Sequence, residues 1–256
     1  MNPFRHLLSQ KTPLGTWLMA ASPNTAEALG YAGFDFLVVD MEHASIEFSD
    51  LAHLLRAIAC TPATPIVRLA DNDKVLVKRA MDAGAETIML PFIQSVEEAK
   101  AAVSYMRYPP HGVRGVAAVH RSSRFGTLPG YLANAHERAF TILQLETPDA
   151  IAKLGNIAAI DGVDAIFVGP GDLAATMGHI GDILHSDVQK CIAHAVKAAT
   201  KAHKPIGIVA PNPEILEKFR SSGYHFSALA SDLALMLGKA QDWMVTLQKN
   251  TPTKVL

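Results

Sequence analysis

The sequence predicts an α/β protein folded as one (β/α)8 barrel that spans residues 1–256. Three observations carry that expectation. Short aliphatic runs alternate with helix-period segments eight times, the order of a parallel sheet joined by crossover helices. The chain has 256 residues, close to the length at which such a barrel closes inside its ring of helices. Hydrophobic residues make up 49% of the chain and aromatics only 7%, as expected where strands are buried on both faces.

In chain order, strands are expected at Leu14–Leu18, Phe36–Val39, Pro65–Leu69 and Thr87–Leu90. The second four are Thr141–Leu145, Ala165–Val168, Ile206–Val209 and Phe226–Leu229. Caps mark the helix starts between them. Ser22-Pro23, Thr147-Pro148 and Asn212-Pro213 each place a capping side chain before a proline at the first helical position. Ser95 and Glu98 fit a reciprocal capping box. From Ser186 onward, Val188, Ile192, Ala195, Val196 and Ala199 fall on one helical face. The last helix begins near Ser231-Asp232 and runs through Leu235, Met236 and Leu237 towards Trp243. An open doubly wound sheet shares this alternation, but eight units in this length favour the closed barrel. One stretch breaks the rhythm. Met106 to Arg138 holds YPPHGVRG and HRSSRFG, and so long a connection is usually a functional loop or lid.

Charge narrows the partners. The 23 basic residues balance 24 acidic ones, leaving no basic excess for a nucleic acid or a membrane surface. A small-molecule ligand is expected instead. Cys60 and Cys191 are isolated, which fits a reducing cytoplasm rather than a disulfide framework. The opening MNPFRHLLSQK lacks the apolar core of a signal peptide, and runs such as FDFLVV are too short to cross a bilayer.

Barrel enzymes place their chemistry at the carboxyl ends of the strands. Strand two ends in Asp40, followed by Met41, Glu42 and His43. Strand three carries Arg68 almost at its end. Strand five brings Gln144 and Glu146, two apart and therefore on one face. Strand six delivers Asp172 after Gly169-Pro170-Gly171. Each has a plain structural alternative. Asp172 would serve as a helix cap, Arg68 as an ion-pair partner for Glu146, and His43 is one of 11 histidines. Together they read as a site. Glu146 and Asp172 offer hard oxygen ligands suited to Mg²⁺, Mn²⁺ or Co²⁺ rather than a His/Cys zinc site. Arg68 offers a fixed cation for a carboxylate or a developing enolate oxygen. His43 offers an imidazole, a side chain suited to moving a proton.

The segments VVDMEH, PIVRL, MDAGAETIMLPF, YPPHGVRG, LQLE and FVGPGDLAATMGH resemble the HpcH/HpaI aldolase family, in order from about Leu14 to Leu237. The resemblance implies a (β/α)8 barrel, a divalent metal, a pyruvate-type 2-oxo acid as nucleophile and an aldehyde as acceptor. It also implies a hexamer whose last helix is exchanged between neighbouring barrels. By motif, Glu146 and Asp172 would be the metal ligands, Arg68 would stabilise the pyruvate enolate, and His43 would move protons with Asp40 nearby. Gln144 would contact metal-bound water or substrate. The backbone of Gly169, Pro170 and Gly171 would hold the pyruvate carboxylate, and Asp82 would support the histidine of a neighbouring subunit. The chain departs from the family pattern at Gly171, where alanine is common, and at Ala117 and Ala230, where glycine is usual. The stretch VHRSSRF replaces an alanine-rich version. These changes spare the metal and enolate residues and put the acceptor aldehyde in question.

Three rivals remain open. A class I aldolase needs a Schiff-base lysine, yet Lys78, Lys100, Lys153 and Lys204 lie in helices or at strand starts. A related acyl-CoA lyase of the citrate lyase beta type would need room for a CoA extension. A non-catalytic, metabolite-binding barrel would not need every polar strand end.

Overall fold

The computed structural model describes residues 1–249. Their parallel strands close into a barrel in chain order. The first four are β1 (Leu14–Leu18), β2 (Phe36–Asp40), β3 (Thr64–Arg68) and β4 (Thr87–Leu90). The rest are β5 (Phe140–Leu145), β6 (Ala165–Val168), β7 (Ile206–Ala210) and β8 (Phe226–Ser231). β8 pairs back onto β1, with Leu14 opposite Ser227. All eight expected strands form, with ends moved by a residue or two.

Helix α1 (Pro3–Gln10) precedes β1, and α2 (Pro23–Tyr31), α3 (Phe48–Ile58), α4 (Lys74–Asp82) and α5 (Val96–Met106) follow the first four strands. α6 (Tyr131–Arg138) leads into β5, and α7 (Pro148–Ala152) and α8 (Leu154–Ala158) share the next crossover. α9 (Pro170–Thr176) and α10 (Ser186–Lys201) join β6 to β7, followed by α11 (Pro213–Ser221) and α12 (Asp232–Lys249). Ser22, Thr147 and Asn212 cap as their sequence context implies, accepting from the N–H groups of Thr25, Ala150 and Ile215. α10 buries Val188, Ile192, Ala195, Val196 and Ala199.

The box expected at Ser95 is only half made. Ser95 Oγ accepts from the Glu98 N–H at 3.1 Å. The Glu98 carboxylate takes the Gln94 N–H at 2.7 Å instead of the Ser95 N–H, because the preceding turn brings that amide within reach.

α1 has a role that periodicity did not reveal. Asn2 caps it, accepting from the N–H groups of Phe4 and Arg5. Phe4 is fully buried, edge-on to Phe36, Phe140 and Phe226 at centroid distances of 5.4, 5.4 and 5.3 Å. These rings fill the barrel interior together with Val38, Ile66, Met89 and Phe167. Gly15 and Gly207 leave room for them, since a Cβ at either would collide with the Phe36 or Phe226 ring. The strand-start end is thereby sealed, and chemistry is left to the other end.

The stretch from Met106 to Arg138 lies at that sealed end, because it joins a helix to the start of β5. Arg121 Nη1 donates to the Ala83 carbonyl at 3.3 Å and Ser122 Oγ to the Met81 carbonyl, both at the C-terminal end of α4. A lid over this chain's own strand ends is therefore not what it forms. α12 leaves Met236, Leu237, Trp243 and Met244 exposed. No helix among the described residues is long and apolar enough to cross a membrane.

Candidate active site

Asp40 and Arg68 end β2 and β3 directly opposite each other in register. Arg68 donates through Nε to Asp40 Oδ1 at 2.9 Å and through Nη2 to Oδ2 at 2.7 Å. Its Nη1 lies 3.0 Å from Glu42 Oε2, and the guanidinium stacks over the Trp17 ring at 4.1 Å. The ion pair between Arg68 and Glu146 considered above does not form; the strand register gives the arginine to Asp40. Asp40 Oδ1 also accepts the backbone N–H groups of Glu42 and His43, at 3.0 and 3.3 Å. The His43 imidazole is mostly exposed, its Nε2 3.7 Å from Glu42 Oε2.

Glu146 follows β5 and is buried. Its Oε2 accepts the Phe92 N–H at 3.1 Å and its Oε1 accepts from Gln144 Nε2 at 2.5 Å. Gln144 Oε1 is buried with no hydrogen-bond partner. Burial pushes the Glu146 carboxyl up to about 7; the Gln144 and Phe92 hydrogen bonds oppose this, while Asp172 and Glu42 add to it. Burial likewise raises Glu42, against the pull of Arg68 and His43 and with the push of Asp40 and Asp172.

Asp172 is the third residue of α9 and stays exposed. Gly169 holds the capping position without any side-chain bond, so Asp172 is not the helix cap. A Cβ at Gly169 would collide with the Glu146 carboxylate; bare backbone is what lets that carboxylate lie there. A Cβ at Gly171 would meet open space, so alanine would fit. Ala230 has a φ of 49°, the left-handed region in which the family's glycine is at ease.

A cavity of about 640 Å³ opens over the Asp40–Arg68 pair and His43, beside the start of α9. Asp40, His43, Arg68, Pro170 and Gly171 form its polar side, and Met19, Ile183, Leu184 and Val209 contribute an apolar wall. A second cavity of about 620 Å³ lies at the sealed end. Its main charges are already paired, Arg5 with Asp164 at 2.9 Å and Arg107 with Asp161 at 2.8 Å, which leaves little to engage a ligand.

Asp82 lies elsewhere. It ends α4, at the sealed end of its own barrel. It accepts from Arg114 Nη2 at 2.6 Å and lies 3.7 Å from His120 Nε2. Arg114 is fully buried. Asp82 is therefore neither a solvated surface aspartate nor a neighbour of His43 within one chain.

Trp17 and Phe92 were not legible as site residues. Trp17 sits in an apolar strand, where an aromatic reads as core. Phe92 contributes its backbone N–H from a φ of 52°, and such local strain gathers at functional sites. Its only trace in the sequence is the LPF segment after β4.

A closed barrel with a charged cluster at the carboxyl ends of its strands has the architecture of an enzyme. Residues 14–238 match the family model described as HpcH/HpaI aldolase/citrate lyase. The chain is 54% identical to the 2-dehydro-3,6-dideoxy-6-sulfogluconate aldolase of Pseudomonas putida, over 94% of this chain and 95% of that one. It is 42% identical to the 5-keto-4-deoxy-D-glucarate aldolase of Salmonella arizonae, over 95% of each. The crystal structure of an HpcH/HpaI aldolase/citrate lyase family protein from Burkholderia cenocepacia J2315 superposes with a TM-score of 0.94 at 38% identity, covering 97% of this chain and 100% of that one. The chain belongs to the HpcH/HpaI aldolase/citrate lyase family. It is an aldolase, a carbon–carbon lyase.

Proposed function

We propose that the chain catalyses reversible, divalent-metal-dependent aldol cleavage of 4-hydroxy-2-oxo acids to pyruvate, or hydroxypyruvate, and an aldehyde. The excess of carboxylates carries this reading. Asp40, Glu42, Glu146 and Asp172 share the strand ends with a single guanidinium, and repulsion adds to burial in holding Glu146 near neutrality. A divalent cation held by Glu146 and Asp172 would relieve that repulsion. The donors fit: both are hard oxygens suited to Mg²⁺, Mn²⁺ or Co²⁺. The orphaned Gln144 Oε1 stands ready to accept from a water beside them. When bound, the cation supplies Lewis-acid polarisation of the 2-oxo group.

The chain's own residues do the rest. Two of the five guanidinium N–H donors of Arg68 go to Asp40, and Glu42 faces Nη1 as an ion-pair contact, which leaves donors for the oxygen that gains charge when the pyruvate methyl loses a proton. Asp40 positions that guanidinium and also the backbone of His43. His43 takes the proton from the 4-hydroxyl in cleavage, returns it in condensation, and assists the base at the methyl group. The backbone of Gly169, Pro170 and Gly171 borders the place for the pyruvate carboxylate. The apolar wall of Met19, Ile183, Leu184 and Val209 receives the acceptor. The two named relatives act on sugar acids, and a related sugar-acid aldol is the first substrate to test.

The working assembly is a cytoplasmic hexamer in which α12 is exchanged. Leu233, Met236, Leu237, Trp243 and Met244 give that helix an exposed apolar stripe, the kind of surface that marks a protein–protein contact. Asp82 then reaches His43 of a neighbouring subunit.

The test is metal removal. EDTA should abolish pyruvate release from a 4-hydroxy-2-oxo acid, and Mg²⁺, Mn²⁺ or Co²⁺ should restore it. Borohydride should trap no pyruvate adduct, since no lysine lines the cavity. Full activity without metal, or a trapped adduct, would replace this reading with Schiff-base chemistry.

A further inference from the structure

The connection from α9 to α10 forms part of the cavity wall through Gly181, Asp182, Ile183 and Leu184. Its two ends carry a second cluster of ligating side chains. His179 stands at one end, and His185 and Asp187 stand at the other, with one ligand atom from each lying within 4.8 Å of the others. The two imidazoles stack, centroids 3.4 Å apart and planes 15° off parallel. His185 caps α10 through Nδ1, which accepts the Asp187 N–H at 3.3 Å. Asp187 pairs with Lys190 at 2.8 Å, on a flexible side chain that can swing away. None of these residues touches the proposed chemistry.

We infer that His179, His185 and Asp187 form a second cation site, selective for a borderline transition metal such as Zn²⁺, Ni²⁺ or Co²⁺, that clasps the cavity wall. Two observations support it independently of the aldol mechanism. The donors are two imidazoles and one carboxylate, a set that prefers such ions over Mg²⁺, whereas the strand-end donors are all oxygen. The donors also bracket a loop, so one ion would close it, and closing a loop through a metal converts binding energy into order. Rings stacked nearly parallel cannot both aim an in-plane lone pair at one ion, so forming metal–nitrogen bonds of about 2.0–2.1 Å requires the two imidazoles to unstack by turning about their side-chain torsions. A water completes four-coordination. Asp187 offsets the unfavourable placing of a cation at a helix N-terminus.

The experiment uses the full-length protein with the strand-end site saturated by millimolar Mg²⁺, and titrates Co²⁺ alone as the probe. We expect one further Co²⁺ per chain, with the visible absorption of a four-coordinate ion. His179→Ala and His185→Ala should each weaken that binding. Loss of even an outer partner of a metal ligand costs about 10–100-fold in affinity, so loss of a ligand should cost at least as much. Mg²⁺-dependent pyruvate exchange should survive in both variants, which checks that they are folded. In unsubstituted protein, Zn²⁺ should shield both histidines from diethyl pyrocarbonate, mapped by mass spectrometry, so the proposal does not depend on the variants folding. Absence of Co²⁺ binding above the Mg²⁺-held site overturns the proposal. Binding unchanged in both variants, or no shielding by Zn²⁺, does the same.

Discussion

Glu146 shows how one residue's surroundings set its chemistry. Its ordinary value of 4.5 is raised by burial to about 7, so the folded, metal-free chain binds that proton more tightly than the unfolded chain does. The sign follows directly. From this group, metal-free stability is greatest below about 4.5 and declines as pH rises towards 7. A cation must also displace that proton. Calorimetry in buffers of different ionisation enthalpy should show about one proton released per ion near pH 6 and almost none well above 7. Glu146→Gln should bind poorly and release none. Release that does not vary with pH would mean that Glu146 is not a ligand. Asp40, Arg68, Gln144 and Glu146 were legible because charged or amide side chains ending apolar strands cannot be buried without a purpose. Arg68's partner was not legible, since the lateral register of β2 against β3 chooses Asp40 and leaves Glu146 two strands away.

At the scale of elements, the parallel strands announced themselves as aliphatic runs, and the caps at Ser22, Thr147 and Asn212 were readable from residue type alone. α1 was not. Phe4, Leu7 and Leu8 stand at helical spacing and pack on the barrel-interior cluster, but eight residues are too few for a periodic signal to stand out, and the helix's function depends on rings supplied by β2, β5 and β8. Phe4→Ala would leave a hole in the barrel floor. Urea unfolding at saturating metal should show a loss of about 3–5 kcal/mol, with metal affinity unchanged because the site lies at the other end. A cost below about 1 kcal/mol would mean that the floor collapses without strain. Gly15 and Gly207 were opaque for a similar reason, as only the packed rings show what a Cβ would strike.

At the scale of the whole molecule, Asp82 and the stretch from Met106 to Arg138 lie at the barrel end away from His43. Sequence could flag the long connection but could not say which end it occupies; helix-to-strand topology decides that. Any role for Asp82 in catalysis therefore requires a second subunit. His43→Ala and Asp82→Ala should each lose activity yet keep metal. Unfolded and refolded together, an equimolar mixture should regain activity, since roughly one site in four would pair an intact histidine with an intact neighbouring aspartate. No recovery on mixing, or a monomer by light scattering, would confine Asp82 to its contacts with Arg114 and His120.

In the proposed mechanism, carboxylates and an arginine at the strand ends create a pyruvate enolate with the help of a divalent cation. Deuterium exchange into the pyruvate methyl group, followed by proton NMR without any aldehyde, isolates that step. Metal-stripped protein should exchange nothing beyond the buffer rate, and Mg²⁺ should restore exchange. With Mg²⁺ present, Arg68→Ala should slow it by about 100-fold or more, the scale of losing one oxyanion donor. Arg68→Lys should rescue little, because a point charge cannot reproduce the paired bonds to Asp40. Exchange that persists without metal, or that proceeds at full rate in Arg68→Ala, would overturn the metal- and arginine-stabilised enolate.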